Sequence, residues 1–160
     1  MAKKRLKTNA IRLLEQRDIS FDVLEYTVND GEIDGLSVAN KINMEPKYVY
    51  KTLVTYASRD EVFIFVIPVT ETLDLKAAAK IAKVKKLEML PLDELLTVTG
   101  YVRGGCSPVG MKKMYPTIID KSVDALDEII VSAGKVGLQL HMAVADLIKV
   151  THAQVHKITQ

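Results

Sequence analysis

A chain of 160 residues, 48% hydrophobic and 26% charged, has the composition of a soluble globular protein and enough length to bury a core as one domain, expected over residues 1–160. Its net charge of +2 excludes a strongly polar-tailed or broadly basic class, so any contact with a polyanion must come from local clustering of cations. The single cysteine excludes an internal disulfide framework and a cysteine-cluster metal site.

The basic start, Met1-Ala2-Lys3-Lys4-Arg5-Leu6, is followed by no apolar segment of the kind a signal peptide needs. The longest apolar stretch, residues 62–69, contains Pro68 and falls far short of a membrane span. A cytoplasmic location is therefore expected. Leu6, Ala10, Leu13 and Leu14 recur at helical spacing and predict an opening amphipathic helix ending near Arg17. Residues 21–28 read as a strand, broken by the turn chemistry of Asn29-Asp30-Gly31. A short helix is expected over 36–42, with Pro46 closing the segment after it. Residues 48–56 and 61–67 predict an antiparallel hairpin through Ser58-Arg59-Asp60. Helices follow over 74–84, with an Ala77-Ala78-Ala79 stripe, and over 91–96. There Pro91 suits a first helical position, because its missing N–H would be unpaired anyway. Two glycine and proline clusters interrupt 101–119. Residues 129–131 and 138–142 read as strands joined by Ser132-Ala133-Gly134-Lys135-Val136-Gly137, and 143–150 as the last helix. Strands and helices are mixed without regular alternation. The expected fold is α+β, a mixed, barrel-like β-sheet surrounded by helices.

Lys51 is the strongest oddity. Alternation along Tyr48-Val49-Tyr50-Lys51-Thr52-Leu53-Val54 puts it on the face of Val49 and Leu53. A lysine in an apolar row must snorkel to solvent, pair with an acid, or line a cleft where an anion binds. Arg103-Gly104-Gly105-Cys106-Ser107-Pro108-Val109-Gly110 is a loop whose backbone can approach a ligand, though it matches neither a phosphate loop nor a dinucleotide fingerprint. A nucleophilic Cys106 would need a base or a positive surrounding, and no histidine is placed to help, so a small buried side chain is the favoured reading. Ser132 either meets a substrate from its strand end or caps the turn. Asp146, early in the last helix, reads as structural. His141, His152 and His156 form no metal-binding spacing with one another. Lys76, Lys80 and Lys83 share one helical face, and Lys85, Lys86, Lys112 and Lys113 add to the basic inventory; such a face suits a polyphosphate or is simply solvated.

Taken together, these stretches resemble the YbaK/EbsC family of aminoacyl-tRNA deacylases, which are similar to the editing domain inserted in bacterial prolyl-tRNA synthetases. The resemblance is carried by Phe21-Asp22-Val23-Leu24-Glu25-Tyr26, Val49-Tyr50-Lys51-Thr52-Leu53 and Leu75-Lys76-Ala77-Ala78. It continues through Thr99-Gly100-Tyr101-Val102-Arg103-Gly104-Gly105-Cys106-Ser107-Pro108-Val109-Gly110 and Val131-Ser132-Ala133-Gly134-Lys135-Val136-Gly137-Leu138, so that it runs from about Asn9 to His152. It implies hydrolytic release of a wrong amino acid from the 3′ end of a tRNA, with wording most like the type that prefers cysteine on the tRNA for proline. The nearest competitors are an alanyl-tRNA(Pro) deacylase of the same fold that uses water, and a tRNA-binding module or small-molecule binder without activity. Lys51 matches the family's essential lysine. Tyr26, Gly104 and Ser132 match pocket positions, with Thr52 and Gly105 as further substrate-binding candidates. Cys106 and His141 stand where relatives commonly carry an aliphatic and an acidic residue. The resemblance implies no metal or other cofactor. The partners it implies are the mischarged tRNA(Pro) acceptor end and, as a second partner, prolyl-tRNA synthetase; neither a membrane nor DNA is among them. The implied mechanism is substrate-assisted: the cysteinyl thiol attacks its own ester.

Overall fold

The computed structural model describes residues 7–28, 30–32, 34–58 and 60–160. Leu6, Asn29 and Arg59, which figure in the readings of the first helix and two turns, lie outside them. Helix α1 (Asn9–Gln16) starts at Thr8, whose hydroxyl accepts from the Ile11 N–H and donates to the Ala133 carbonyl 125 residues away. Strand β1 (Phe21–Glu25) is shorter than expected, and α2 (Gly35–Lys41) is capped by Asp34. A short 3-10 turn at Pro46–Tyr48 precedes the hairpin of β2 (Tyr50–Ser58) and β3 (Glu61–Pro68). Asp74 caps α3 (Leu75–Ala82), and β4 (Glu88–Met89) leads to α4 (Leu92–Thr99). Pro91 stands at the cap of α4 rather than in its first turn, and the helix runs three residues past Leu96 before Gly100 ends it in a left-handed conformation. Strands β5 (Thr117–Asp120), β6 (Glu128–Ser132) and β7 (Leu138–Ala143), helix α5 (Val144–Thr151) and strand β8 (Gln154–His156) complete the chain. Among the described residues no helix is long and apolar enough to cross a membrane.

The strands form two sheets. One is antiparallel, in the order β1-β7-β6; the other is mixed, in the order β4-β2-β3-β5-β8, with β3, β5 and β8 parallel to one another. A single parallel bridge, Val49 to Ile130, joins them. The α+β class stands, but among the described residues no pairing joins the outer strands, so the expected barrel-like sheet is not closed.

Alternation sorts the side chains of β3 to two cores. Ile64 and Val66 point into the larger one, between the sheets and against α1 and α5, while Phe65 and Ile67 pack with Ala78 and Ala79 of α3. Burial on both faces explains why residues 62–67 read as an unbroken apolar run. A smaller cluster of Ala39, Val49 and Ile130 seats α2 over the bridge between the sheets.

Asp120, at the end of β5 and only 2% exposed, secures the far edge. Its carboxylate accepts from the Ile158 N–H at 3.1 Å, the Thr159 hydroxyl at 3.2 Å and the Ser122 N–H at 3.1 Å. Burial alone would raise its pKa, but the hydrogen bonds outweigh that and hold it below the ordinary value. Asp120→Ala, which orphans the buried Ile158 N–H, should lower unfolding free energy by about 2 kcal/mol in urea melts. Because the folded-state pKa is depressed, this carboxylate's contribution is present above about pH 4 and lost as pH falls through its folded value. Urea melts from pH 6 downward should show that loss in the wild type, and a flatter profile in Asp120→Asn.

Candidate active site

Two glycine-bearing loops lean on each other to make one wall of a cleft. Thr99, buried at the end of α4, donates to the Leu95 carbonyl and accepts from the Tyr101 N–H, which turns the chain back at Gly100. The buried Tyr101 hydroxyl donates to the Val109 carbonyl at 2.6 Å and closes the loop across its base. Gly105 meets the backbone of the second loop directly: a Cβ there would lie 2.8 Å from the Val136 nitrogen and 3.0 Å from the Lys135 carbonyl carbon. Gly134, at φ +97°, would push a Cβ to 2.7 Å from the Tyr101 ring. Only glycine permits both approaches.

The opposite wall is the outer edge of β2. Val49 pairs with Ile130 at one end of this edge, and the Val54 carbonyl accepts from the Leu90 N–H at the other. Between them the even-numbered residues turn their N–H and C=O groups away from β3, so the backbone of Thr52 faces the gap. The cleft formed there has a volume of about 130 Å³. It brings together Lys51, Thr52, Gly104 and Ser132, with Cys106 and Gln139 beside them.

Lys51 is half-buried and has no carboxylate partner among the described residues. Its ammonium is therefore available to an anion or a developing oxyanion. The Thr52 hydroxyl is buried without a hydrogen-bond partner. Ser132 does both things its sequence allowed: its oxygen accepts from the Gly134 N–H at 3.2 Å, and it lines the cleft with its own O–H still free to donate. Tyr26 and Gly105 are not in the lining. Tyr26 follows β1, its N–H donates to the Gly137 carbonyl at 2.9 Å, and its buried hydroxyl has no partner. Gly105 acts one step back, as the spacer that sets the distance between the loops.

Burial pushes the Cys106 thiol up to about 11, partly offset by the Thr99 hydroxyl. About 10⁻⁴ of it is thiolate at pH 7, so it is a poor nucleophile. None of Asp, Glu or His lines the cleft. His141 instead faces Glu128 at 3.5 Å, away from it. Among the described residues no three His, Cys, Asp or Glu side chains gather as metal ligands. Sequence reasoning missed Gln139, which is 6% exposed and has no hydrogen-bond partner for its amide among the described residues. Alternation gave no signal there: a polar residue between Leu138 and Leu140 is the ordinary pattern of a strand with one solvated face. The cleft can thus bind an acyl ester through Lys51, hydroxyls and loop N–H groups, but offers no general base of its own.

Residues 36–150 match the model of the aminoacyl-tRNA editing domain. Over 161 aligned residues the chain is 41% identical to EbsC of Enterococcus faecalis, by name a candidate Cys-tRNA(Pro)/Cys-tRNA(Cys) deacylase, covering 99% of this chain and 98% of that one. The fold is shared with the crystal structure of a candidate trans-editing enzyme for prolyl tRNA synthetase, at a TM-score of 0.85 and 22% identity over 98% of this chain and 99% of the other. A hypothetical protein of known structure superposes equally well, with a TM-score of 0.85 at 18% identity over 96% of this chain and all of the other. The chain belongs to the family of aminoacyl-tRNA editing domains.

Proposed function

We propose that this chain is a trans-editing aminoacyl-tRNA deacylase that releases cysteine mischarged onto tRNA(Pro), in the cytoplasm, with the thiol of the substrate as nucleophile. One observation carries the reading: the cleft is lined by an unpaired lysine and the backbone of Gly104 but by no Asp, Glu or His, and its only thiol is held protonated. A site that can bind an ester and its oxyanion yet lacks a base suits a substrate that brings its own nucleophile. The name of the Enterococcus relative supports the choice of cysteine. At about 130 Å³ the cleft is smaller than pockets that engulf whole ligands, which suits an aminoacyl group at the end of a longer chain.

The chemistry balances without a co-reactant. The cysteinyl sulfur attacks the carbonyl carbon of its own ester, a C–S bond forms, and the carbonyl oxygen becomes an oxyanion. Lys51 and the N–H groups at Gly104 stabilise that charge. The bond from carbon to the ribose oxygen then breaks, the thiol proton ends on the ribose hydroxyl, and a thiolactone leaves the intact tRNA. With a thiol pKa near 8.5, a few per cent of the substrate is already thiolate at neutral pH, and holding it against the carbonyl makes the step intramolecular. Proline and alanine have no thiol and escape.

Release of cysteine and of alanine from charged tRNA(Pro) should be compared in wild type, Lys51→Ala and Cys106→Ala. The expected result is release of cysteine only, a loss of about 10²-fold or more in Lys51→Ala, and near-wild-type turnover in Cys106→Ala. Release of alanine would make water the nucleophile, and an inactive Cys106→Ala that still folds would sink the substrate-assisted step. Alkylation of Cys106 by iodoacetamide should keep climbing about tenfold per pH unit from pH 8 to 10, because its thiolate grows in until about pH 11; a plateau by about pH 9 would contradict a protonated wall thiol. We also infer that prolyl-tRNA synthetase supplies the tRNA selectivity. Preference for tRNA(Pro) over another cysteine-charged tRNA should then fall when the synthetase is omitted, and an unchanged preference would remove the need for that partner.

A further inference from the structure

A second and larger cavity, about 440 Å³, opens at the other end of the same glycine loop. Gly104 and Cys106 line the cleft, whereas Pro108 and Gly110 line this cavity. Only about 7 Å of chain can separate Cys106 from Pro108. One face of α1 provides the facing wall, since Asn9, Arg12, Leu13 and Gln16 follow one another at i, i+3, i+4 and i+7.

The lining is cationic and uncompensated. Arg12, Arg17 and Lys113 border the cavity, all three exposed, and no Asp or Glu lines it. None of the three has a carboxylate partner among the described residues. Glu15, a turn along α1, is taken by Lys7 at 3.1 Å, and Asp18 follows Arg17 in sequence without lining the cavity. Leu13, Met111, Met114 and Tyr115 make an apolar and aromatic flank. The Tyr115 hydroxyl is anchored on the Val98 carbonyl at 2.7 Å, so its ring is held in place.

We propose that this cavity binds a backbone phosphate of the tRNA acceptor arm, with the attached nucleoside against the Leu13–Tyr115 flank, as a second anchor next to the cleft that takes the aminoacyl end. The proposal rests on the deacylase reading for the identity of the polynucleotide. Two guanidinium forks and an ammonium match phosphate oxygens. An apolar wall with a fixed aromatic ring suits a base or ribose that stacks without sequence demand. The volume lies within the range of pockets that enclose a ligand. The lysines of α3 and its cap, Lys76, Lys80 and Lys83, are exposed and line neither this cavity nor the cleft, so here they can add attraction but not a seat.

The test uses Arg12→Gln, Arg17→Gln and Lys113→Gln combined in the full chain, with thermal melting as a control for folding. Affinity for uncharged tRNA is measured across a salt series, and turnover is measured on cysteinyl-tRNA and on cysteine esterified to adenosine, which carries no phosphate. The expected result is tRNA affinity down about tenfold or more, with the slope of log affinity against log salt shallower by about 1. KM for cysteinyl-tRNA should rise with kcat nearly unchanged, and kcat/KM on the adenosine ester should not move. Unchanged tRNA affinity and slope would overturn the proposal, as would an equal loss on both substrates. Saturable binding of free AMP that the triple variant abolishes, with tRNA affinity intact, would overturn it too and assign the cavity to a free nucleotide. Because uncharged tRNA is bound without turnover, absence of deacylation with the binding loss present would strike the catalytic reading and leave the cavity's assignment standing.

Discussion

The site depends on a strand edge that is paired at both ends and open in the middle. Val49, just before β2, pairs with β6, and β2 meets β4 near Val54; between those points its backbone has no strand partner on that side among the described residues. An unpaired edge is ordinarily a liability, because exposed N–H and C=O groups recruit other strands. Here α2 and the two glycine loops cover it, so the open stretch becomes the floor of a cleft rather than a surface for aggregation. Lys51 and Thr52 sit on opposite faces of the strand at this stretch, and both reach the same space because the space lies along the edge.

The opposite wall is equally determined. The contact of Gly105 with Lys135 and Val136 is backbone against backbone, which no rotamer change can relax. Tyr101 sits beneath it, holding Val109 with its hydroxyl and touching Gly134 with its ring. Thr8 adds a third tie by donating to the Ala133 carbonyl, so the start of α1 is fastened to the loop that carries Ser132. Each hydrogen bond alone is worth about 1 kcal/mol. Together they place the Gly104 backbone opposite Lys51 before any substrate arrives, and that preorganisation is what electrostatic stabilisation of an oxyanion requires.

Much of this was legible in the residues, because local chemistry leaves local marks. Lys51 stood out as a cation in an apolar row, and the hairpin and the last helix followed from spacing and turn chemistry. The short strands β4, β5 and β8 were not legible. Thr117–Asp120 is buried at every position and only four residues long, so it shows neither alternation nor length, and its partners lie about fifty residues upstream and thirty-five downstream. Gly105 was read as a ligand contact because the loop that it meets is thirty residues away, and no periodicity reports a meeting of that kind. Gln139 was missed because, between Leu138 and Leu140, it fits the ordinary alternation of a strand with one solvated face, and only the fold shows that face turned inward. Among the described residues the barrel-like sheet stays open for a related reason, since ring closure depends on the outermost strands finding each other.

The depressed acidity of Cys106 has a consequence for self-inactivation. On the mechanism proposed above, every turnover releases a strained thioester a few ångströms from the protein's only thiol. A thiolate at that position would capture the acyl group by thioester exchange and stop the enzyme after one cycle. Burial keeps the sulfur protonated against the partial pull of the Thr99 hydroxyl, so the same desolvation that disqualifies Cys106 as a nucleophile lets the cleft survive its own product.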